Sequence, residues 1–401
     1  MNNVFVGRQP IFDNKLNVYG YELLYRATDS ANHAAGMVNA NQATTTTIIN
    51  TFVEIGLERL VRNKLAAINL TEDFLLEENK LPFAPSQVIL EILEDVPVTP
   101  KLLEAVQRLV NAGYVIALDD YLYNPAHAPL LRLAKIVKID LRALDKVELE
   151  RHVIELKKFG VKLLAEKVET ADEFVHCRDL GFDYFQGYFL SKPQIVKGQS
   201  LPSNRLTILN LLAVLHNPDS DADDLAEAIN TDITTSYKLL KLINSAAFNL
   251  RREITSIEQG VMLLGRQKLC SWASMLALST LNDRPSEILR TAMTRAKMCE
   301  LLAEKSNEAA TDSYFTVGMF SALDLLLQRS LEQLLEPLPL SEEIIGALLR
   351  FEGRRGEVLK CVMAYEVSDW DNATLSHVSE NDVLVSNIEA VTWANVLMDT
   401  L

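Results

Sequence analysis

Seven short apolar runs in the first half of the chain each carry a polar residue near their C-terminal end. In order they are YELLYR (21–26), AINLT (67–71), VILEILED (88–95), VIALDD (115–120), the VKID run (136–140), LLAEKVET (163–170) and FQGYF (185–189). Amphipathic stretches separate most of them, for example 41–62, 100–112 and 145–159, with only a short helical piece at 125–134. Strands that alternate with helices pair in parallel, and six or seven such units predict a closed barrel over an open sheet. A closed parallel barrel gathers the C-terminal ends of its strands at one mouth, where such proteins bind ligands. Five acidic positions, an Asn, a Lys and a Gln placed this way predict a polar pocket rather than scattered surface groups.

The chain has 401 residues, more than one ordinary core can use, so two domains are expected. A hydrophobic fraction of 48% fills those cores. The formal charge of −15 repels phosphate backbones and anionic bilayers, which disfavours general nucleic-acid or membrane-surface binding. Apolar stretches such as 205–215 and 261–281 fall short of a membrane span, and MNNVFVGRQP lacks the build of a signal peptide. Cys177, Cys270, Cys299 and Cys361 are scattered with no CxxC pair, as expected for buried thiols in a reducing cytoplasm.

The character of the chain changes after residue 195. SKPQIVKGQSLPSN (191–204) has no apolar period and carries Pro, Gly and Ser, so a linker is expected over 196–204 between a barrel at 1–195 and a second domain at 205–401. The second domain is Leu- and Ala-rich with helical spacing, and helix starts are marked at Asp219–Asp223, Ser256, Pro285 and Ser341. An all-helical domain follows. Residues 224–244 have a helix-turn-helix cadence, which a helical bundle also produces freely, and the acidic chain disfavours DNA. Trp272, Trp370, Trp393 and the Met residues 262, 275, 293 and 298 are expected to pack in cores.

Clustered side-chain oxygens favour hard cations, Mg²⁺ or Mn²⁺, and no His/Cys set competes with them. Two such ions can clamp a phosphodiester and activate water. Lys138 and Asp140 lie two apart on one strand face, which brings an ammonium beside the carboxylates.

From RQPI at 8–11 to QGYFLSKP at 186–193, the first half resembles the EAL domain family, whose members bind or hydrolyse cyclic di-GMP. The resemblance implies a modified TIM barrel. It implies metal ligands at Glu22 (in ELL rather than EAL), Asn69, Glu91 and Asp119, with Asp120 at a second metal position. It places Lys138 and Asp140 in the KID motif, Glu166 as the general base and Glu169 as its support. Gln186 falls near the ligand, Arg26 on a ligand phosphate, and Glu94 on the loop after the fourth strand. If the site is active it holds two ions, Mg²⁺ or Mn²⁺, and releases linear pGpG.

Two departures from the family pattern stand out. Active members follow the paired aspartates with a loop of the form DDFGTGYSS, where this chain has DDYLYNPAHAPL. In the family that loop couples a barrel homodimer to the second metal site. AEGVET has become AEKVET, placing Lys167 beside Glu166. Strand alternation would send Lys167 outward, whereas a bulge would set its ammonium next to Glu166 and lower that carboxyl's pKa. Two readings therefore stay open: a phosphodiesterase, or a silent receptor or scaffold that acts through protein contacts.

In the second half, NSAAF followed by ITSIEQGVMLLG resembles the HDOD domain, a helical relative of the HD phosphohydrolases without their metal-binding His and Asp. Residues 205–401 hold only His216 and His377, and GMFSAL puts Ser321 and Ala322 where His-Asp would stand. The whole resembles two-domain EAL–HDOD signalling proteins of the YuxH type. That implies cyclic di-GMP as ligand and a signalling protein as partner of the helical half.

Overall fold

The computed structural model of the protein describes residues 4–27, 53, 55–76, 81–187, 203–231, 233–244, 254–281 and 286–400. Two compact units divide near residue 193. The expected linker lies outside the described residues as far as 202, and a helix begins at Ser203.

The first unit is a closed barrel of eight strands in chain order. They are β1 (Val4–Asp13), β2 (Val18–Ala27), β3 (Leu65–Leu70), β4 (Val88–Ile92), β5 (Val115–Leu118), β6 (Ile136–Asp140), β7 (Lys162–Glu166) and β8 (Tyr184–Phe185). Strands β2 to β8 run parallel to their neighbours. β1, absent from the expected runs, is antiparallel to both β2 and β8 and closes the ring. This is a TIM-like barrel with one reversed strand, in keeping with the expected modified barrel.

The helices between strands start where the sequence supplies caps. In α1 (Pro100–Asn111), Thr99 Oγ1 accepts from Leu102 N and Pro100 occupies the first turn. Before α2 (Lys146–Lys157) and α3 (Ala171–Leu180), Asp145 with Glu148 and Thr170 with Glu173 form reciprocal capping boxes.

Inside the barrel the side-chain period of two decides where the polar groups go. Ile11, Ala67, Ile89, Ala117, Ile136, Leu164 and Tyr184, one from each of seven strands, form a single buried layer. Two residues further on, the same inward face of six strands presents Asn69, Glu91, Asp119, Lys138, Glu166 and Gln186. On the remaining two strands, Gln9 opposes Glu22. The apolar layer is a floor, and the polar layer above it lies at the mouth.

The second unit is helical throughout its described residues, as expected. Trp272 is buried and meets the edge of Trp393, which also meets Phe315. Met275, Met293 and Met298 are buried, but Met262 is 79% exposed, so its expected packing role does not hold. Ser321 Oγ accepts from the buried Arg295 guanidinium at 2.8 Å and donates to Gly318 O. Ser321, expected from the sequence to stand at a former metal-ligand position, is thus engaged by a guanidinium and a backbone carbonyl.

His216 gives this unit a pH signature. Its Nε2 lies 3.0 Å from Ser274 Oγ, and Ser274 donates to Cys270 O, so the imidazole Nε2–H is the donor of the pair. The ring packs edge-on against Phe320. Burial first, and the Arg266 guanidinium second, push its pKa down to about 4. In the unfolded chain the ring titrates near 6.5. A depressed folded pKa contributes stability that is full above 6.5 and lost as pH falls through 4, worth about 2–3 kcal/mol. Denaturant titrations should therefore show wild type losing about 2–3 kcal/mol more than His216→Gln between those two pH values. Equal losses would refute the assignment.

Candidate metal and nucleotide site

Lys138 stands at the centre of the mouth. Its Nζ lies 2.6 Å from Asp119 Oδ1, 3.1 Å from Glu166 Oε1, 3.2 Å from Glu91 Oε1 and 3.3 Å from Glu22 Oε2. Lys138 and Glu91 are fully buried, and Glu22 and Glu166 nearly so. Burial alone would favour the neutral amine, but Glu91, Glu22, Glu166 and Asp119 outweigh it and hold the pKa well above the usual lysine value. One ammonium cannot balance four carboxylates. Burial accordingly raises Glu91 well above the carboxylate range, lifts Asp119, and brings Glu166 to about 8, with Lys138 opposing each shift.

Amides tie this centre to the barrel's seam. Gln186 Nε2 donates to Glu22 Oε2 at 2.6 Å and to Gln9 Oε1 at 2.9 Å, and Asn69 Nδ2 lies 3.4 Å from Glu22 Oε1. Next to Gln186 the chain passes close against the backbone of Val168. At Gly187 (φ +150) a Cβ would stand 2.3 Å from Val168 N and 2.4 Å from Val168 O, so no other residue fits without moving that backbone. Sequence reasoning missed Gln9. The RQPI motif contains it, and alternation from Ile11 would have pointed it inward.

The structure brings Glu22, Asn69, Glu91, Asp119, Lys138, Glu166 and Gln186 together. Asp120, at φ +39, and Asp140 lie at the rim, partly exposed. Glu94 and Glu169 are exposed, and among the described residues no hydrogen bond or ion pair joins their side chains to the cluster. Arg26 lies in β2, but its side chain is outside the described residues.

The donors suit a divalent cation. Asn69 Oδ1, Glu91 Oε2, Asp120 Oδ1 and Glu166 Oε2 are buried without a hydrogen-bond partner, a costly state for oxygen. Ligand oxygens of Glu22, Glu91 and Asp119 all lie within 4.8 Å of one another. An all-oxygen set of this size fits Mg²⁺ or Mn²⁺.

The altered loop after Asp120 is held by its own contacts. Tyr121 is buried, its N–H donates to Lys138 O, and its ring meets His127. Asn124 Oδ1 caps the short turn Pro125–His127, and Tyr123 packs edge-on against His152 of α2. Lys167 leaves the strand at φ +56, and its ammonium pairs with Asp140 rather than Glu166.

Comparison with known proteins agrees with both halves. Residues 2–193 match the EAL domain and residues 201–339 the HDOD domain. The chain is 37% identical to the uncharacterized protein YuxH of Bacillus subtilis, over 99% of both chains. It is 35% identical to the cyclic di-GMP phosphodiesterase CdgJ of Vibrio cholerae, over 98% of this chain and 93% of that one. Among solved structures, a calcium/cyclic di-GMP complex of Klebsiella pneumoniae BlrP1 aligns with TM-score 0.39 and 20% identity, over 48% of this chain and 56% of that one. A standalone EAL protein of Vibrio cholerae O395 aligns with TM-score 0.37 and 23% identity, over 47% of this chain and 90% of that one. No helix among the described residues is long and apolar enough to cross a membrane. The chain belongs to the family of proteins that join an EAL domain to an HDOD domain.

Proposed function

We propose that this protein is a cytoplasmic cyclic di-GMP phosphodiesterase whose helical half passes the state of the barrel to a protein partner. The observation that carries this reading is the convergence of four carboxylates, Asn69, Gln186 and Lys138 on one barrel mouth. The full-length resemblance to CdgJ, a protein named for this activity, supports the choice of substrate.

Glu22, Asn69, Glu91 and Asp119 would hold the first divalent ion, with Asp120 toward any second. Bound there, such an ion neutralises phosphoryl charge and acidifies water. The chain's own groups divide the remaining work. Glu166, poised near neutrality by burial, takes the proton of the attacking water as it adds in line to one phosphorus. Lys138, at the centre of the mouth, would stabilise charge developing on the phosphoryl oxygens. Gln186 positions the nucleotide through its Oε1, which no protein group engages, and Arg26 would meet a phosphate. One P–O bond forms and one breaks, giving linear pGpG.

The packed loop at 121–128 favours a second reading, in which the barrel binds cyclic di-GMP without turnover. Incubation of the full chain with Mn²⁺ or Mg²⁺ and cyclic di-GMP separates the two. Phosphodiesterase activity predicts pGpG by chromatography. Calorimetric binding without product establishes the receptor, and neither binding nor product ends both readings.

A further inference from the structure

The strand that carries Glu166 does not run on into its loop. At Lys167 the backbone enters the left-handed region (φ +56), which suits glycine and strains a residue with a side chain. Val168 is buried immediately afterwards, and its N–H returns to Gln186 O at 3.1 Å. The turn puts the Lys167 ammonium over the rim of the mouth. There it lies 2.5 Å from Asp140 Oδ2, at the end of the neighbouring strand β6.

Both ends of this lysine are held. Its carbonyl accepts from Arg142 Nη2 at 3.2 Å, and Arg142 is paired with Glu173. Glu173 in turn accepts from the backbone N–H groups of Glu169 and Thr170. Asp140 is fixed through its other oxygen, which accepts from Arg142 N at 2.7 Å. Asp120, on the adjacent strand end, and Glu166 add their negative charge to the field around the ammonium.

A second divalent ion at this rim would need Asp120, with Asp140 or Glu166 beside it, as ligands or counter-charges. Asp140 is paired with the Lys167 ammonium, Glu166 is paired with Lys138, and Asp120 lies within the field of the Lys167 ammonium. Because the ammonium is attached to the chain, it competes at high effective concentration and cannot be diluted away. A dication arriving beside it also meets like charge. We propose that Lys167 is a built-in monovalent substitute for the second metal, so that the mouth takes one divalent ion, at Glu22, Asn69, Glu91 and Asp119. The proposal rests on the metal-site reading given above. It makes Lys167 a positioning residue that sets metal stoichiometry rather than a group that touches reacting atoms.

The test is Mn²⁺ binding to the full chain by equilibrium dialysis and electron paramagnetic resonance, with and without cyclic di-GMP. Wild type and Lys167→Arg are expected to bind one Mn²⁺ with an uncoupled six-line spectrum. Lys167→Gly, which also relieves the backbone, and Lys167→Met are expected to bind two, with the spectrum broadened by coupling between neighbouring ions. Two ions in wild type under either condition, or one ion in both neutral variants, would overturn the role of Lys167 and leave the metal site standing. No Mn²⁺ bound to wild type would overturn both.

Discussion

Glu166→Gln should lower pGpG formation by about 10²–10⁴-fold while leaving cyclic di-GMP affinity within about threefold. The amide keeps the shape of the side chain at the end of β7 but cannot take a proton. Glu166 suits the task because burial lifts its pKa to about 8, with Lys138 at 3.1 Å restraining the shift. The sign of the pH dependence follows. A carboxyl with a raised pKa keeps its proton below that value, so the basic form grows as pH rises through about 8 in the ion-free protein. Divalent ions favour the charged carboxylates, so binding at neutral pH should expel protons, and apparent metal affinity should climb with pH. Calorimetric heats measured in buffers of different ionisation enthalpy count those protons. Residual activity above one-tenth of wild type in Glu166→Gln would remove this side chain from the base role.

Removing the central ammonium should have the largest effect on stability. Lys138→Met is expected to cost about 3–5 kcal/mol of unfolding free energy in chelator at pH 8, because it strips the cation from buried carboxylates. Four acidic partners within 3.3 Å lose their common counter-charge together. The loss should shrink at about pH 5, where protonated carboxyls no longer repel one another. Mn²⁺ should restore more stability to Lys138→Met than it adds to wild type, since in wild type the ion must displace the ammonium. Urea titrations with and without Mn²⁺ measure both differences. A deficit under about 1 kcal/mol at pH 8 would mean that the mouth is solvated rather than closed around the lysine.

The parts of the fold that rest on local chemistry were legible in the chain. Apolar runs ending at Asn69, Glu91, Asp119, Lys138 and Glu166 mark parallel strands, and period-two alternation sends all five inward once the floor layer is placed. Helix starts at Ser256 and Ser341 are read from the same cap chemistry that the structure uses. What escaped depends on distant pairing or unusual backbone. β1 contains Pro10, and its antiparallel pairing to β8 joins Phe12 to Phe185, which no short-range pattern announces. Gln9 was lost with it. Lys167 could have pointed either way by alternation, and only its positive φ decides that it meets Asp140. The insertion of Lys138 among four acids, rather than beside them, likewise depends on three-dimensional register. Exposed Met262 shows that helical spacing among Leu and Ala does not guarantee a buried face.

The reversed first strand also governs when the pocket can exist. Gln9 is synthesised 177 residues before Gln186, yet each is needed to complete the other's hydrogen bond. A nascent chain halted before Phe185 would present two open sheet edges, one at β1 and one at β7, both able to pair with a stranger. Assembly of the mouth is thus the last step in sealing the barrel, because the edges of β1 and β7 stay open until β8 is in place.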